Sequence, residues 1–409
     1  MHILLIHQAF AALDEPGGTR HHEFARYLAA RGNFVTVITS SVSYLTGAPI
    51  AGLDAPQEMG QAELKGGIKV IRAHTYSALH RSFVHRVFAF LSFMASSFWI
   101  GLGVKNVDVV WGTSPPIFQG FTSWMLARLK RIPFLFEVRD LWPRFAIAVG
   151  VLKNPTLIKL SFWLERFLYR QAARVVVNSP GYVNHVTELG ARVVELIPNS
   201  ADPGMFDPAE DGSAFRTAHG LKDKFIVLYA GAHGLSNDLG VVLEAAKIVQ
   251  DEGGSPEVVF VFLGDGKEKP ALQKQALEMG LVNTLFLPPV PKMVMPQPLA
   301  AADACLAILK PLEEYKTTYP NKVFDYMAAG RPVLLAIDGV IREVVEASGC
   351  GIFVQPGDPS ALAGAIKHLT SDPGRNLKMG LAGRNYLEEH FSRDKMAGKL
   401  LQIFIGLTQ

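Results

Sequence analysis

The stretch Tyr319-Pro320-Asn321-Lys322-Val323-Phe324-Asp325-Tyr326-Met327-Ala328-Ala329-Gly330-Arg331-Pro332-Val333 carries the densest set of reactive residue types in this chain. Its spacing is helical: Asn321 stands where an N-cap is expected, and Gly330 with Pro332 ends the helix before a strand. Lys322 and Asp325 lie three residues apart and so share one helix face. A cation and a carboxylate near a helix amino-end could grip a diphosphate and a ribose. The alternative is a simple i,i+3 salt bridge.

Three shorter signals accompany it. Gly17-Gly18-Thr19-Arg20 leads into the helical pattern His21–Leu28. Adjacent glycines let a backbone approach an anion, and a helix amino-end supplies unpaired N–H groups; a tight strand-to-helix turn accounts for the same residues. The run Phe134–Val138 reads as a buried strand ending in Arg139-Asp140-Leu141-Trp142-Pro143. Charges at that edge need a partner or a task. Arg139 could hold an acceptor phosphate and Asp140 an acceptor hydroxyl, or Arg139 could pair with Asp140 or Glu137. Finally, Leu263-Gly264-Asp265-Gly266 closes a strand with a G-x-G turn, which suits a nucleotide and a plain turn equally.

The elements that must position these residues alternate between short β-rich runs and helical patterns, the signature of βα units winding parallel sheets. Strands are expected near 2–7, 34–39, 68–74, 107–112, 133–138, 174–178 and 193–197. After the turn-rich joint Pro198–Gly204 come strands near 225–231, 258–263, 284–287, 304–308, 332–335 and 351–354. The chain divides into domains 1–198 and 199–392, with a helix in 393–409 packing back on the first. Each domain is a doubly wound, Rossmann-like α/β fold. Facing one another, they would bring the carboxyl ends of both sheets to a central cleft.

Composition narrows the class. With 409 residues, 49% apolar and 19% charged, the chain is long enough for two packed domains. Residues 1–198 hold 20 Lys and Arg against 12 Asp and Glu; the remainder holds 20 against 25. The basic first half suits an anionic membrane surface or a lipid pyrophosphate. The dense Lys/Arg clusters with interleaved aromatics of a nucleic-acid binder are missing, so no nucleic-acid partner is expected. Cys305 and Cys350 are too few for a disulfide framework and lack ligand spacing, and the chain opens on an apolar strand rather than a signal peptide. A cytoplasmic protein is expected.

Val87 to Val104 is a run of 18 uncharged residues. It could span a membrane, cover a sheet, or lie in the interface as a monotopic helix. Spanning would split the first sheet across the bilayer. In the interfacial reading Phe83, Val87, Phe90, Leu91, Met94, Phe98 and Trp99 enter lipid, Arg81 and Arg86 meet headgroups, and His85, Ala89, Ser92 and Ser96 face the protein. The segment Leu157–Tyr169 could extend the same surface.

The run Asn321–Val333 is similar to the donor-site helix of glycosyltransferase family 4. Arg139–Pro143 and Gly17–His21 resemble one subgroup, the O-antigen and capsule transferases related to N-acetyl-L-fucosaminyltransferase. The likeness extends through Ile197-Pro198-Asn199, Tyr229-Ala230-Gly231, His233-Gly234 and Leu263–Gly266. It implies the GT-B architecture and a retaining transfer from a nucleotide-sugar, generally a UDP-N-acetyl-sugar. The acceptor would be a polyprenyl-pyrophosphate-linked saccharide at the inner leaflet of the cytoplasmic membrane. No cofactor and no metal are expected. By this resemblance Asp325 binds the ribose and Lys322 the diphosphate. Gly17, Gly18, His233, Gly234, Gly264, Asp265, Gly266 and Asn321 complete the donor site. Arg20, His21 and Arg139 face the acceptor, while Lys322, Arg139 and Asp140 serve catalysis. Three departures stand out: Thr317 where the family has an acid, Ala232 where relatives have a cation, and Arg139 where many have a His. A nicotinamide-dependent oxidoreductase would need G-x-G-x-x-G after a strand, which is not found. A non-catalytic scaffold at a membrane surface is the other alternative.

Overall fold

The computed structural model describes residues 1–43, 47, 62–65, 67–77, 83–254 and 256–409. Arg81 and the side chain of Phe83 lie outside the described residues, so their expected membrane roles cannot be placed. The chain forms two compact units. One comprises Met1–Leu13, Gly17–Pro198 and Asp394–Gln409; the other Asp14–Pro16 and Asn199–Arg393.

The first unit is built on β1 (His2–Ile6), β2 (Phe34–Ser40), β3 (Ala62–Lys65), β4 (Ile68–Ala73), β5 (Val109–Ser114), β6 (Phe134–Val138), β7 (Arg174–Val177) and β8 (Val194–Leu196). Their order is β3-β4-β2-β1-β5-β6-β7-β8. Every neighbouring pair is parallel except β3 with β4. Seven of these strands are read from the sequence; β3 is not. Its four residues, Ala-Glu-Leu-Lys, lack the β-branched and aromatic types that mark a strand, and their order comes from hairpin pairing with β4.

Helices cover both faces of this sheet. On one, Phe24 and Leu28 of the helix Arg20–Ala29 share a core with Trp111 and with Met396, Ala397, Leu400, Ile403 and Phe404 of the helix Arg393–Thr408. Those five recur at helical spacing, which is why the last helix docks by one face. The rings of Phe404 and Trp111 meet edge-on, with centroids 5.5 Å apart.

The opposite face carries the helices Phe83–Gly103, Phe118–Lys130 and Pro155–Gln171. The first connects β4 to β5, two strands of one sheet, so it cannot cross a bilayer while that sheet exists. Ala89, Phe93 and Ser97 are fully buried. At Gly101 an added Cβ would lie 2.5 Å from Leu126. The protein-facing stripe is therefore Ala89, Phe93, Ser97 and Gly101. Ser92 and Ser96 instead hold the preceding loop, through the Tyr76 N–H and the His74 carbonyl. Phe90, expected in lipid, is half-buried and packs on Phe118 at 5.5 Å between ring centroids, and Phe98 joins the core. Val87 and Met94 are half-buried, while Leu91 and Trp99 are exposed together with Phe88.

The second unit has β9 (Phe225–Ala230), β10 (Val258–Leu263), β11 (Thr284–Leu287), β12 (Ala304–Ile308), β13 (Val333–Ala336) and β14 (Gly351–Phe353), all parallel, in the order β11-β10-β9-β12-β13-β14. All six correspond to runs read from the sequence. The central strands β9, β10 and β12 are buried along their whole length, as apolar runs sandwiched by helices must be. Phe404→Ala is expected to destabilise the protein by about 3–5 kcal/mol, because the cavity against Trp111 cannot close. Denaturant unfolding would measure it; a loss below about 1 kcal/mol would mean that the last helix is loosely docked.

Candidate functional site

In the second unit the ends of β9 and β10 and the helix Asn321–Ala328 converge. Gly231 and Gly264, which follow the two strands, have φ of +146° and +149°, and the Gly231 N–H bonds to the Leu263 carbonyl. A Cβ on Gly264 would stand 1.9 Å from the Gly231 carbonyl oxygen, so no side chain fits there. A Cβ on Gly266 would likewise strike the backbone of His233, whose N–H donates to the Asp265 carbonyl. The glycines thus let two loops lie directly against each other.

Lys322 reaches into this junction. Its Nζ lies 3.7 Å from the centroid of the Tyr229 ring, and a Cβ on Gly231 would be 2.9 Å from it. The residue is half-buried but its ammonium is wholly enclosed and makes no hydrogen bond among the described residues. Burial pulls its pKa from 10.5 down to about 7. His233 is fully buried among Tyr229, Phe262 and Phe286, with neither ring nitrogen hydrogen-bonded. Burial, reinforced by Lys269 and Lys322 and opposed by Asp265, lowers its pKa to about 4. A neutral imidazole and an amine whose charged form is disfavoured therefore sit together at the end of the sheet. Tyr229 also donates its hydroxyl to the Ala232 carbonyl, which fixes the loop.

Asp325 takes a different partner from the one its spacing suggests. Its Oδ2 is 2.5 Å from Nζ of Lys292, a buried residue of the loop after β11. Asn321 is not the N-cap either. Pro320 holds the extended cap conformation, and Asn321 begins the helix with its Oδ1 buried and unbonded. Gly234 sits in the loop after β9, while Thr317 donates its hydroxyl to the Glu314 carbonyl.

In the first unit the carboxyl edge of the sheet is organised by Glu137. Its carboxylate receives Arg20 Nε at 2.9 Å, His21 Nε2 at 2.7 Å and Trp111 Nε1 at 3.1 Å. Arg20 also donates to the carbonyls of Ile197 and Pro198. Burial opposes the carboxylate's charge, yet His21, Arg20 and Arg139 outweigh it and hold its pKa far below the usual range. Burial brings the His21 pKa to about 4 despite the attraction of Glu137, so this imidazole is neutral at pH 7 and donates Nε2–H. Arg20 and His21, expected to face an acceptor, are instead buried fasteners. Gly17 and Gly18 stand exposed just before their helix.

Arg139 pairs with neither Glu137 nor Asp140 by hydrogen bond. Its Nε donates to Thr113 Oγ1 and the Ser114 carbonyl, and its Nη2 to the Pro115 carbonyl and His7 Nε2. His7, missed as a site residue, is fully buried and held neutral by burial and by its neighbours His21 and Arg139. Asp140 makes no side-chain hydrogen bond among the described residues, and burial pushes its pKa to about 6 against the pull of Arg139.

Comparison with known proteins gives this geometry a family. Residues 17–200 match the model of the glycosyl transferase 4-like domain, and residues 224–372 that of glycosyl transferases group 1. The chain is made of two glycosyltransferase domains. It is 25% identical over 400 residues to WcaI of Escherichia coli (strain K12), named for a glycosyl transferase of colanic acid biosynthesis; the match covers 94% of this chain and 95% of WcaI. It is also 25% identical over 316 residues to the D-inositol 3-phosphate glycosyltransferase of Thermomonospora curvata, covering 70% and 69% of the two chains. Among solved structures, it resembles sucrose-phosphate synthase from Thermosynechococcus elongatus, with a TM-score of 0.76, 19% identity and coverage of 99% and 98%. Anabaena HepE in complex with UDP-glucose gives 0.74 and 17%, each chain covered in full. At such identities the likeness establishes the fold, two Rossmann-like units of GT-B type.

Within the second glycosyltransferase domain, Lys322, His233, Gly264, Asp265 and Gly266 lie together. Tyr229 and Lys292 complete the group. The Tyr229 strand motif is legible as a motif, but nothing in the local sequence marks Lys292. An ammonium enclosed without an acceptor costs folding free energy. That cost is complete below the folded pKa of about 7 and fades as pH rises toward 10.5, because the unfolded chain binds the extra proton in that interval. Lys322→Met should therefore raise the melting temperature of the ligand-free protein, by roughly 2–4 °C per kcal/mol relieved. The gain should be largest at pH 6–7 and shrink toward pH 10; a lowered melting temperature at pH 7 would contradict the assignment.

Proposed function

We propose that the chain is a retaining glycosyltransferase that moves a sugar from a UDP-sugar, an N-acetylated amino sugar, to a saccharide carried on a polyprenyl pyrophosphate during assembly of a surface polysaccharide. The observation that carries this reading is the pair of buried, unbonded groups Lys322 Nζ and His233 beside the bare backbone of Gly231 and Gly264. Unsatisfied buried polar groups are costly in a resting fold, and a diphosphate supplies the acceptor that they lack. The names of relatives point the same way: WcaI to colanic acid, HepE to UDP-glucose, and the structural neighbour WaaG to lipopolysaccharide biosynthesis. The subgroup remains the one related to N-acetyl-L-fucosaminyltransferase.

In this mechanism the bond between the sugar's anomeric carbon and the diphosphate oxygen breaks as the acceptor oxygen bonds to the same face. The acceptor's proton passes to a phosphate oxygen. Lys322 and the amino-end of its helix stabilise the charge that grows on the leaving diphosphate. Asp325, steadied by Lys292, binds the ribose hydroxyls. Arg139 and Asp140 take the acceptor's phosphate and hydroxyl, with His7 steadying Arg139. These groups require neither a protein nucleophile nor a metal. UDP should accordingly raise the melting temperature, and UDP-N-acetyl-sugar hydrolysis should persist in excess EDTA. Activity restored only by magnesium or manganese would overturn the metal-free mechanism; no binding of any nucleoside diphosphate would overturn the donor site.

The reading includes peripheral attachment at the cytoplasmic leaflet. Phe88, Leu91 and Trp99 are exposed on the helix Phe83–Gly103, and Leu157, Leu160 and Trp163 on the helix Pro155–Gln171, where Lys159, Arg166 and Arg170 are also exposed. Apolar rings among cations suit an anionic interface. Because Phe90 is packed inward, the clean test is Leu91→Asp with Trp99→Asp. The double variant should keep its fold and donor hydrolysis but lose most co-sedimentation with anionic liposomes. Undiminished binding would place the attachment elsewhere.

A further inference from the structure

Among the described residues, nothing around Lys322 supplies a counter-charge to its enclosed Nζ. β9 presents the Tyr229 ring, 3.7 Å from Nζ. The loop after β9 presents His233, neutral and without a hydrogen-bond partner on its ring. The loop after β10 contributes Asp265, whose Oδ1 accepts from the Gly266 N–H. Lys269 donates to the Gly264 and Leu287 carbonyls. On its own helix, Asp325 is engaged by Lys292. From the helix Pro373–His390, Arg384 donates to the carbonyls of Phe206 and Ala328, at the far end of the Lys322 helix. Behind that helix β12 offers Cys305, a buried thiol. No carboxylate among the described residues pairs with Nζ.

We propose that donor binding at this site is proton-coupled: Lys322 takes up a proton as the nucleoside diphosphate enters and releases it when the nucleotide leaves. The inference rests on the donor reading given above and adds to it the protonation state of the empty site. An amine taken out of water beside a neutral imidazole, with no anion in reach, favours its uncharged form, and the face of the Tyr229 ring offsets this only in part. The arriving diphosphate is the counter-charge that reverses this preference. Consistently, burial alone brings the pKa of the empty-site amine to about 7. Binding then raises it, so uptake is confined to pH values between the empty-site and bound pKa. Below about pH 7 the amine is already charged and little is taken up. Above it, affinity falls by up to about tenfold per pH unit, because a proton must be captured for each ligand bound. The balance is simple: one proton moves from solvent to Nζ, and no covalent bond changes.

The test is isothermal titration of the whole protein with UDP at pH 8–8.5, where the phosphates of free UDP are fully ionised, in buffers of different ionisation enthalpy. The expected result is a buffer-dependent heat corresponding to uptake of most of one proton, together with about a tenfold loss of affinity between pH 7.5 and 8.5. Lys322→Arg, which stays charged at every accessible pH, should bind UDP without buffer dependence. Heats identical in all buffers for the wild type would overturn the proposal while leaving the donor reading intact. Uptake that persists in Lys322→Arg would assign the proton to His233 and overturn it equally. Absence of UDP binding at any pH would instead remove the donor reading itself. If the arginine variant does not fold, His233→Asn separates the two groups: uptake that survives this change supports Lys322, and uptake lost with it overturns the proposal.

Discussion

An ionised carboxylate enclosed in a parallel sheet must be surrounded by donors, and Glu137 obliges four separate parts of the first domain to meet. Arg20 and His21 bring the start of the first helix, Trp111 brings β5, and the Ile197 and Pro198 carbonyls bring the end of the domain to the other side of Arg20. Each donor is itself buried, so removing one would leave the others uncompensated. The network therefore fixes the carboxyl edge of the sheet from within. Arg139 and Asp140, two and three residues after Glu137, inherit a rigid frame: Arg139 is held by Thr113, His7 and the Ser114 and Pro115 carbonyls, while the Asp140 side chain makes no hydrogen bond among the described residues.

The second domain solves the opposite problem. Its core is apolar and its sheet buried on both faces, yet Lys322 and His233 are held at the edge with hydrogen-bonding groups unused. Glycines at 231 and 264 make this arrangement sterically feasible, since the loops could not otherwise touch. Thus the first domain neutralises its buried charge internally, whereas the second keeps a latent cation for something that arrives from outside. Local instability of this kind is typical where binding is the purpose.

Helix Phe83–Gly103 shows how one segment can satisfy two demands. A stripe of small residues with Phe93 covers the sheet, while Phe88, Leu91 and Trp99 remain outside. Composition alone makes such a helix long and apolar enough to be a candidate span. Its place as a crossover within a single sheet decides otherwise.

Much of this was legible in the chain because it is local. Apolar runs of strand length between helical patterns mark the places of thirteen of the fourteen strands along the chain, and β3 escaped because its pairing, not its composition, makes it a strand. The glycines at 264 and 266 and the Lys322 helix also announce themselves by spacing. What spacing could not decide is which charge meets which. Asp325 is three residues from Lys322 but bonds Lys292, and Glu137 is two residues from Arg139 but bonds Arg20 across 117 positions. Nor could the helical period tell that Phe90 turns onto Phe118 while Trp99 stays free. A repeating pattern specifies a face, whereas ion-pair partners and the depth of burial are set by neighbours distant in sequence, which only the packed fold brings within reach.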